Sequence, residues 1–365
     1  MKCAVGIFPI LCLVTNNILD VNSLGVNRRL RREEIIDYGA LITCKPLPEP
    51  TPDFAAAGKR ISEQKCDEYK WNVKSREHQS KTIVTWNDCP DGYGPAFRND
   101  DDDAAPGQDP NLVAIGWKDE KGWLFKCGGS LVSDRYVLTA AHCLNGNLPK
   151  PEIVRFGDKN VFDNLANGLN SIEAKIKKVI VHPDFVEENL INDIGLIELE
   201  EAVAFKKNVL PACLWKDVDV SSLGSFANAT GWGPVHSAKP EEDSPKPKKA
   251  SLKIIDSTKC EELIKPVCGG KHCEVKDTHI CAEGFVNALI KKEQWNAESQ
   301  ICASFSGDPL QIRISDSPEG AMNYVIGITS YSVRCNSVTP DVYTRVSSYL
   351  DWIESIVWPK NKINA

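Results

Sequence analysis

The sequence predicts an all-β domain that ends in a helix and follows a less regular N-terminal segment. From about Asn111 onward, short runs of β-branched and aromatic residues alternate with Gly, Pro and Asn, a pattern typical of antiparallel strands. We expect strands at 112–116, 131–140, 176–181, 193–199 and 324–330, with a spacing that suits a barrel or a sandwich. Apolar residues at helical spacing over 347–358 predict a C-terminal helix, which Ser347 or Ser348 caps and Pro359 ends.

The composition narrows the range of functions. With 42% hydrophobic and 25% charged residues, the 365-residue chain resembles ordinary globular proteins. Its net charge of -7, from 43 basic and 50 acidic residues, argues against nucleic-acid binding. Fourteen cysteines beside two methionines indicate disulfide bonds and therefore an oxidising compartment.

Residues 1–23 have the features of a secretory signal peptide. Lys2 precedes an apolar run from Cys3 to Val14 that is too short to anchor the chain stably in a bilayer. A buried N-terminal strand is the alternative interpretation. Removing the segment would leave twelve cysteines, an even number that can pair completely. No later stretch is long enough for a membrane helix, so we expect a secreted, extracellular protein.

Residues 24–106 are predicted to form an extended, exposed pro-segment, and residues 107–360 a single domain. The pro-segment contains a basic run at 28–32, four prolines between 46 and 52, and an acidic run at 100–103 that we interpret as a solvated linker. It carries Cys44, Cys66 and Cys89. Because three is odd, at least one of them must bond to the domain if all twelve cysteines pair.

Three short strings carry the chemical signal in the domain. They are Thr139-Ala140-Ala141-His142-Cys143, Asn192-Asp193-Ile194-Gly195-Leu196, and the run from Cys302 through Ser306 to Leu310. Their content and order resemble the His, Asp and Ser strings of the trypsin and chymotrypsin family. The resemblance spans residues 107–358 and implies two six-stranded antiparallel barrels with a C-terminal helix. The strings at 60–69 and 211–215 are similar to those of insect haemolymph cascade proteases in particular.

The resemblance implies a role for each residue of the triad. Ser306 corresponds to the nucleophile, His142 to the general base and acid, and Asp193 to the carboxylate that orients the histidine. A serine hydroxyl is a poor nucleophile until a neighbouring imidazole removes its proton, which is why the three residues are needed together. This chemistry requires no cofactor, and we expect neither a cofactor nor a metal.

The sequence departs from the family where activation takes place. In the family, cleavage frees an apolar N-terminus whose ammonium pairs with an Asp directly before the nucleophile. Here that position holds Phe305, and cleavage after Arg98 would expose Asn99 followed by four acidic residues, which are costly to bury. Both partners of the family's ion pair are therefore missing.

The expected oxyanion hole and substrate pocket also depart from the family. The amides of Ser304 and Ser306 would form the oxyanion hole, but Ser304 replaces a glycine, and loss of one such donor lowers turnover about 100- to 1000-fold. Asp308 would repel an oxyanion unless it is turned away and paired. The pocket residues are Gln300, Ser330, Tyr331, Ser332 and Asp341.

Two of these pocket residues bear on specificity. Gln300 stands where trypsin-like members carry Asp, which removes the usual partner of a basic side chain. Asp341 replaces a glycine, so we expect it to narrow the cavity; alternatively, it supplies a carboxylate for a basic side chain from the opposite wall.

The resemblance also implies disulfide pairs. They are Cys127 with Cys143, Cys260 with Cys281, and Cys302 with Cys335. Cys213 corresponds to the cysteine that holds the pro-segment, and its partner is either Cys66 or Cys89. Cys268 and Cys273 are predicted to close a small disulfide loop rather than a zinc site, because only three potential ligands lie there.

These features together predict a secreted serine protease homologue whose catalysis is lost or weakened. We expect it to act as a regulator or adaptor in an extracellular proteolytic cascade of innate immunity and to bind proteins or proteases of that cascade. We also expect a monomer that binds neither nucleic acid nor membrane. An active serine endopeptidase is the alternative, and a purely structural extracellular domain has no motif in its favour.

Overall fold

The computed structural model describes residues 53–55, 57–82, 109–120, 122–145, 149–157, 172–206, 208–220, 224–232, 247–270, 274–284, 306–314, 322–332 and 339–359, with the backbone only for 74–82 and 248. The chain forms two compact units, Met1–Pro52 with Trp71–Pro95, and Asp53–Lys70 with Ala96–Ala365. In the first unit, residues 71–82 are described, and they are helical. The second unit contains both barrels.

The first barrel of the second unit is closed and antiparallel. Its strands are β1 (Leu112–Asp119), β2 (Gly122–Leu131), β3 (Tyr136–Thr139), β4 (Ile153–Phe156), β5 (Ile172–Val181) and β6 (Gly195–Leu199), in the order β1-β2-β3-β6-β5-β4. The single strand expected over 131–140 is two strands. Ser133 causes the break, because its Oγ accepts hydrogen bonds from the amides of Arg135 (3.2 Å) and Tyr136 (3.1 Å) and so makes a turn.

The second barrel is also closed, by the pairing of β11 with β12. The strands that follow the first barrel, with one short helix among them, are β7 (Cys213–Leu214), β8 (Phe226–Gly231), β9 (Lys248–Ile255), α2 (Ser257–Ile264), β10 (His279–Gly284), β11 (Pro309–Ile314), β12 (Met322–Ser332) and β13 (Asp341–Arg345). The barrel order is β11-β8-β9-β10-β13-β12, and β7 pairs in parallel with the first residues of β12. The two-barrel, chymotrypsin-like architecture is therefore confirmed.

Each barrel has its own apolar interior. The first-barrel cluster includes Val113, Leu138 and Leu196, and the second-barrel cluster includes Leu252 and Tyr343. These side chains come from several strands of each barrel and pack together in its interior. Complete burial of one such side chain contributes about 1.5–3 kcal/mol, which makes the two cores the main source of stability.

The predicted C-terminal helix is present, but its start differs from the expectation. A 3₁₀ turn at Val346–Tyr349 comes first, and the α-helix α3 (Leu350–Val357) follows with Tyr349 at its N-cap and no side-chain cap. The expected cap by Ser347 or Ser348 is wrong, because both serines lie inside the 3₁₀ turn. Leu350, Ile353 and Val357 bury the apolar face of α3 in the first-barrel cluster.

Residues 24–106 were expected to be mostly extended, and the part of this segment that the structure describes contains a helix, α1 (Ile61–Thr82). In the second unit, Ser62, Cys66 and Tyr69 are buried at helical spacing on one side of α1. This buried face is not strongly apolar, so the sequence shows no hydrophobic stripe. The helix is stabilised by docking, since Cys66 forms a disulfide with Cys213 and Tyr69 packs edge-on against Phe205 at 5.6 Å.

Arg60 fixes the start of α1 to the C-terminal helix. Its Nε and Nη2 donate to the two carboxylate oxygens of Glu354, each at 3.0 Å, and Nη2 also contacts Asp351. The Oγ of Ser62 donates to the same Glu354 at 2.6 Å. Glu354 is 13% exposed, so this two-pronged pair is partly shielded from water.

We predict that Glu354→Gln destabilises the full-length protein by about 1–3 kcal/mol, because it removes the charge from a hydrogen-bonded, partly buried pair. Thermal unfolding measures the effect. The control is Glu262→Gln, which neutralises an exposed glutamate of α2. Equal midpoints for the two variants would show that Arg60 does not fix the helix.

Candidate active site

His142 lies in a 3₁₀ turn, Ala141–Cys143, that directly follows β3. The disulfide between Cys127 and Cys143 ties this turn to β2. Thr139 of β3 pairs with Gly195 of β6, which brings Asp193 beside the turn. A Cβ at Gly195 would lie 2.6 Å from Leu144 Cδ1, so a larger residue there would force the Leu144 side chain to move.

His142 and Asp193 form a hydrogen-bonded pair. Asp193 is fully buried; its Oδ1 accepts from the His142 amide at 2.9 Å, and its Oδ2 lies 2.7 Å from the imidazole Nδ1. An ionised carboxylate only accepts hydrogen bonds, so Nδ1 carries the proton and Nε2 is left as the basic nitrogen. The His142 side chain is 24% exposed, which leaves the imidazole open to a reactant.

The second barrel completes the surroundings of Asp193. Ser330 donates its hydroxyl proton to Asp193 Oδ2 at 2.5 Å, and Thr344 donates to the Asp193 carbonyl at 2.8 Å. The sequence placed Ser330 in the pocket wall and did not reveal this contact or that of Thr344. The neighbouring Asn192 has a left-handed φ of 55°, and its side-chain oxygen accepts a hydrogen bond from the Tyr349 hydroxyl at 2.8 Å.

Ser306 begins a tight turn against the first barrel. Its carbonyl accepts from the Gly128 amide at 2.9 Å, and the next amide, of Gly307, donates to Thr329 at 2.8 Å. Gly307 has a φ of 90°, and a Cβ there would lie 2.2 Å from Thr139 Oγ1, so only glycine fits. Within the described residues, no hydrogen bond joins His142 to Ser306, a contact that can tighten when substrate binds.

Asp308 is fully buried beside the same turn. A Cβ on Gly128 would lie 1.6 Å from Asp308 Oδ1, which means that the carboxylate occupies the space directly over the Gly128 backbone. The Asp308 carbonyl accepts from the amide and the hydroxyl of Thr329, both at 2.9 Å. The carboxylate therefore points into the interior between Ser306 and β2.

Asp341 sits on β13 directly opposite Ser332 of β12. Ser332 donates its hydroxyl proton to Asp341 Oδ1 at 2.5 Å. Burial raises the pKa of Asp341 to about 6, and the hydrogen bond from Ser332 opposes that rise. Nearby, Tyr331 lies edge-on to His279 at 6.4 Å, and burial lowers the pKa of that imidazole to about 4, so it is neutral at physiological pH.

The trypsin family model matches residues 99–353 of the chain. The chain belongs to the trypsin family. Among its relatives are serine protease Hayan of Drosophila melanogaster, 30% identical over 69% of this chain, and serine protease snk of the same species, 28% identical over 86%. Phenoloxidase-activating factor 3 of Holotrichia diomphalia is 32% identical over 71% of this chain and 73% of its own length. The chain spans 38% of Hayan and 68% of snk.

Three disulfides have both of their cysteines among the described residues. They join Cys66 to Cys213, Cys127 to Cys143, and Cys260 to Cys281. The partner of Cys213 is thus Cys66 rather than Cys89. Cys268 is also disulfide-bonded.

Several expected site residues lie outside the described residues. They are Gln300, Cys302, Ser304, Phe305 and Cys335, together with Cys89 and Cys273. Among the described residues, no group of three or more His, Cys, Asp or Glu side chains could hold a metal ion. In the same part of the chain, no helix is long and apolar enough to cross a membrane.

We predict that Asp341→Asn stabilises the protein at about pH 7.5 and has little effect near pH 3.5, below the ordinary pKa of 3.8. The folded pKa of about 6 lies above the ordinary 3.8, so folding favours the protonated form. That contribution is present at low pH and is lost as the pH rises through 6, when a buried negative charge forms. Thermal unfolding at both pH values measures the difference.

The control is Asp217→Asn, which neutralises an exposed carboxylate. Its effect on the unfolding midpoint should be the same at both pH values. If Asp341→Asn shows an equally constant effect, the buried carboxylate does not titrate in this window.

Proposed function

We propose that the chain is a secreted regulatory protease homologue that binds proteins of an extracellular protease cascade and cleaves peptide bonds weakly or not at all. Family membership supports a protease-shaped binding surface. The signal-like N-terminus and the many cysteines support secretion. A protein surface of this shape can recognise a protease, a substrate or an inhibitor without turning it over.

The residue before the nucleophile carries this proposal. The base is well positioned, because His142 is held by Asp193 and Asp193 in turn by Ser330. Ser306, however, directly follows Phe305, which has no charge. An incoming ammonium finds no partner there, so the ion pair that shapes the oxyanion hole in the family cannot form.

The other half of the activation pair is absent from the sequence as well. A terminus created after Arg98 begins with Asn99 and continues with Asp100 and Asp101. Burying these carboxylates costs more free energy than burying the apolar terminus found in the family. The proposal of weak catalysis therefore rests on both ends of one missing ion pair.

The names of the relatives suggest the biological setting. Two of them are phenoloxidase-activating factors 1 and 3 of Holotrichia diomphalia, and another is CLIP domain-containing serine protease C9 of Anopheles gambiae. We propose that this chain likewise acts with extracellular proteases of innate immunity, as a monomer. Its partners are proteins, and neither nucleic acid nor membrane is among them.

A working endopeptidase is the second candidate function, and Asp341 favours it. Its half-buried carboxylate is hydrogen-bonded to Ser332, and no lysine or arginine forms an ion pair with it among the described residues. A carboxylate in the pocket attracts a basic side chain, so an active enzyme of this sequence would cleave after Lys or Arg.

We expect a fluorophosphonate probe, which reacts only with activated serines, to leave Ser306 unlabelled. The probe is applied to the purified full-length protein before and after limited proteolysis, and mass spectrometry of the peptide that contains Ser306 measures labelling. Trypsin is the positive control. Labelling of Ser306 as fast as that of trypsin would establish the endopeptidase instead.

We predict that Phe305→Asp alone does not restore peptide hydrolysis, because the apolar terminus that would pair with it is also missing. Steady-state hydrolysis of an arginyl amide should remain within about twofold of the unsubstituted protein. Phe305→Asn is the matched control, because Asn has nearly the same size as Asp but carries no charge. A much higher hydrolysis rate for Phe305→Asp than for Phe305→Asn would show that the missing apolar terminus does not limit catalysis.

A further inference from the structure

A buried cluster of polar side chains joins the start of the first barrel to the second barrel. Its members are all buried or nearly so, and they come from the chain before β1 and from β2, β9, β11 and β12. We call this cluster the Asp109 hub, and it consists of Asp109, Asn111, Ser130, Lys249, Gln311 and Asn323.

The carboxylate of Asp109 is the centre of the hub. Its side chain is 3% exposed, and Oδ1 accepts from Gln311 at 2.7 Å and from Asn323 at 3.1 Å. Lys249 Nζ lies 3.2 and 3.3 Å from the two oxygens and supplies the positive charge. One cation and two amide donors satisfy this buried carboxylate. Loss of either charge would leave the opposite charge unpaired in the interior.

Asn111 extends the hub between the barrels. Its Oδ1 accepts from Asn323 at 2.8 Å, and its Nδ2 donates to Gln311 at 2.9 Å and to Ser130 at 3.4 Å. Its carbonyl accepts from the Leu131 amide at 2.8 Å. The chain before β1 is thus fixed to β2 of its own barrel and to β11 and β12 of the other.

The two second-barrel strands in the hub are those that hold the nucleophile turn. β11 begins at Pro309, directly after Ser306-Gly307-Asp308, and Gln311 lies on it. Gly307 and Asp308 hydrogen-bond to Thr329, which lies on the same strand as Asn323. A buried charge at Asp109 therefore acts on both strands that support the turn.

We propose that the Asp109 hub joins the start of the domain chain to the nucleophile strand through side-chain charges, so that this junction is complete in the uncut chain. In the family, a terminus created by cleavage makes an ion pair with the nucleophile turn. Here the residues that connect these parts of the domain belong to the intact polypeptide. Cleavage upstream therefore leaves the junction unchanged.

Hydrogen exchange of the full-length protein, followed by mass spectrometry, tests the proposal. Residues 95–101 are replaced by a recognition sequence for a site-specific protease, and cut and uncut samples are compared. We expect exchange at 306–314 and 322–332 to agree within about twofold. A change of about tenfold or more after cutting would overturn the proposal.

Variants of the hub test whether its effect is local. Asp109→Asn should raise exchange at 306–314 and 322–332 by about tenfold or more, with little change in β3 and β6. Lys259→Met is the matched control, because it breaks the exposed ion pair with Glu283 on the second barrel and should change neither segment. A uniform rise of hydrogen exchange in every segment, or no rise at 306–314 and 322–332, would refute a local effect of the hub on these strands.

Two features keep the outcomes distinct. If Asp109→Asn does not fold, Lys249→Gln takes its place, since it removes the positive charge and keeps a donor. Labelling of Ser306 by the fluorophosphonate probe would refute the proposed function, but exchange requires neither catalysis nor a partner. The hub is therefore judged on hydrogen exchange alone, from the cut and uncut comparison and from the hub variants.

Discussion

The buried carboxylate of Asp193 is the contact on which the arrangement of the two barrels depends. It receives two hydrogen bonds from His142 on the first barrel and one from Ser330 on the second, and its carbonyl receives another from Thr344. A buried charge without such donors costs several kcal/mol, so the donors must come together for the domain to fold. The same requirement that aligns the barrels also orients the imidazole.

Polar contacts of this kind define the interface between the barrels, in contrast to their apolar interiors. Asp109, Asp193 and Asp308 are all carboxylates buried there. Hydrogen bonds and ion pairs depend on direction and distance, so they fix the register of the two barrels more closely than apolar packing does. The same contacts hold the nucleophile turn against β2, where the Asp308 carboxylate is buried.

The architecture was predictable because local patterns and the three family strings determine it. Strand runs such as 176–181 and the apolar spacing of α3 are visible along the chain. The resemblance supplied the two-barrel architecture and two of the disulfides, Cys127–Cys143 and Cys260–Cys281. Helix α1 was not predictable, because its buried face consists of Ser62, Cys66 and Tyr69 and has no hydrophobic periodicity. Its stability comes from distant partners, chiefly Glu354 and Cys213.

The polar contacts of the site were the least predictable part. The hydrogen bond from Ser330 to Asp193 and the ion pair between Lys249 and Asp109 join residues more than a hundred positions apart. Such pairs leave no periodic signal, and a lone Asn, Gln or Lys in a strand is ordinarily on its solvated face. Their positions follow only from the folded backbone.

We propose that the scaffold and the base are intact while the nucleophile turn lacks the charged residue that activates it in the family. Hydrolysis of an activated p-nitrophenyl ester by the purified protein and by Ser306→Ala measures whether Ser306 acylates. We expect equal rates for the two proteins within about twofold. A rate for the unsubstituted protein that exceeds that of Ser306→Ala by about 1000-fold or more would contradict it.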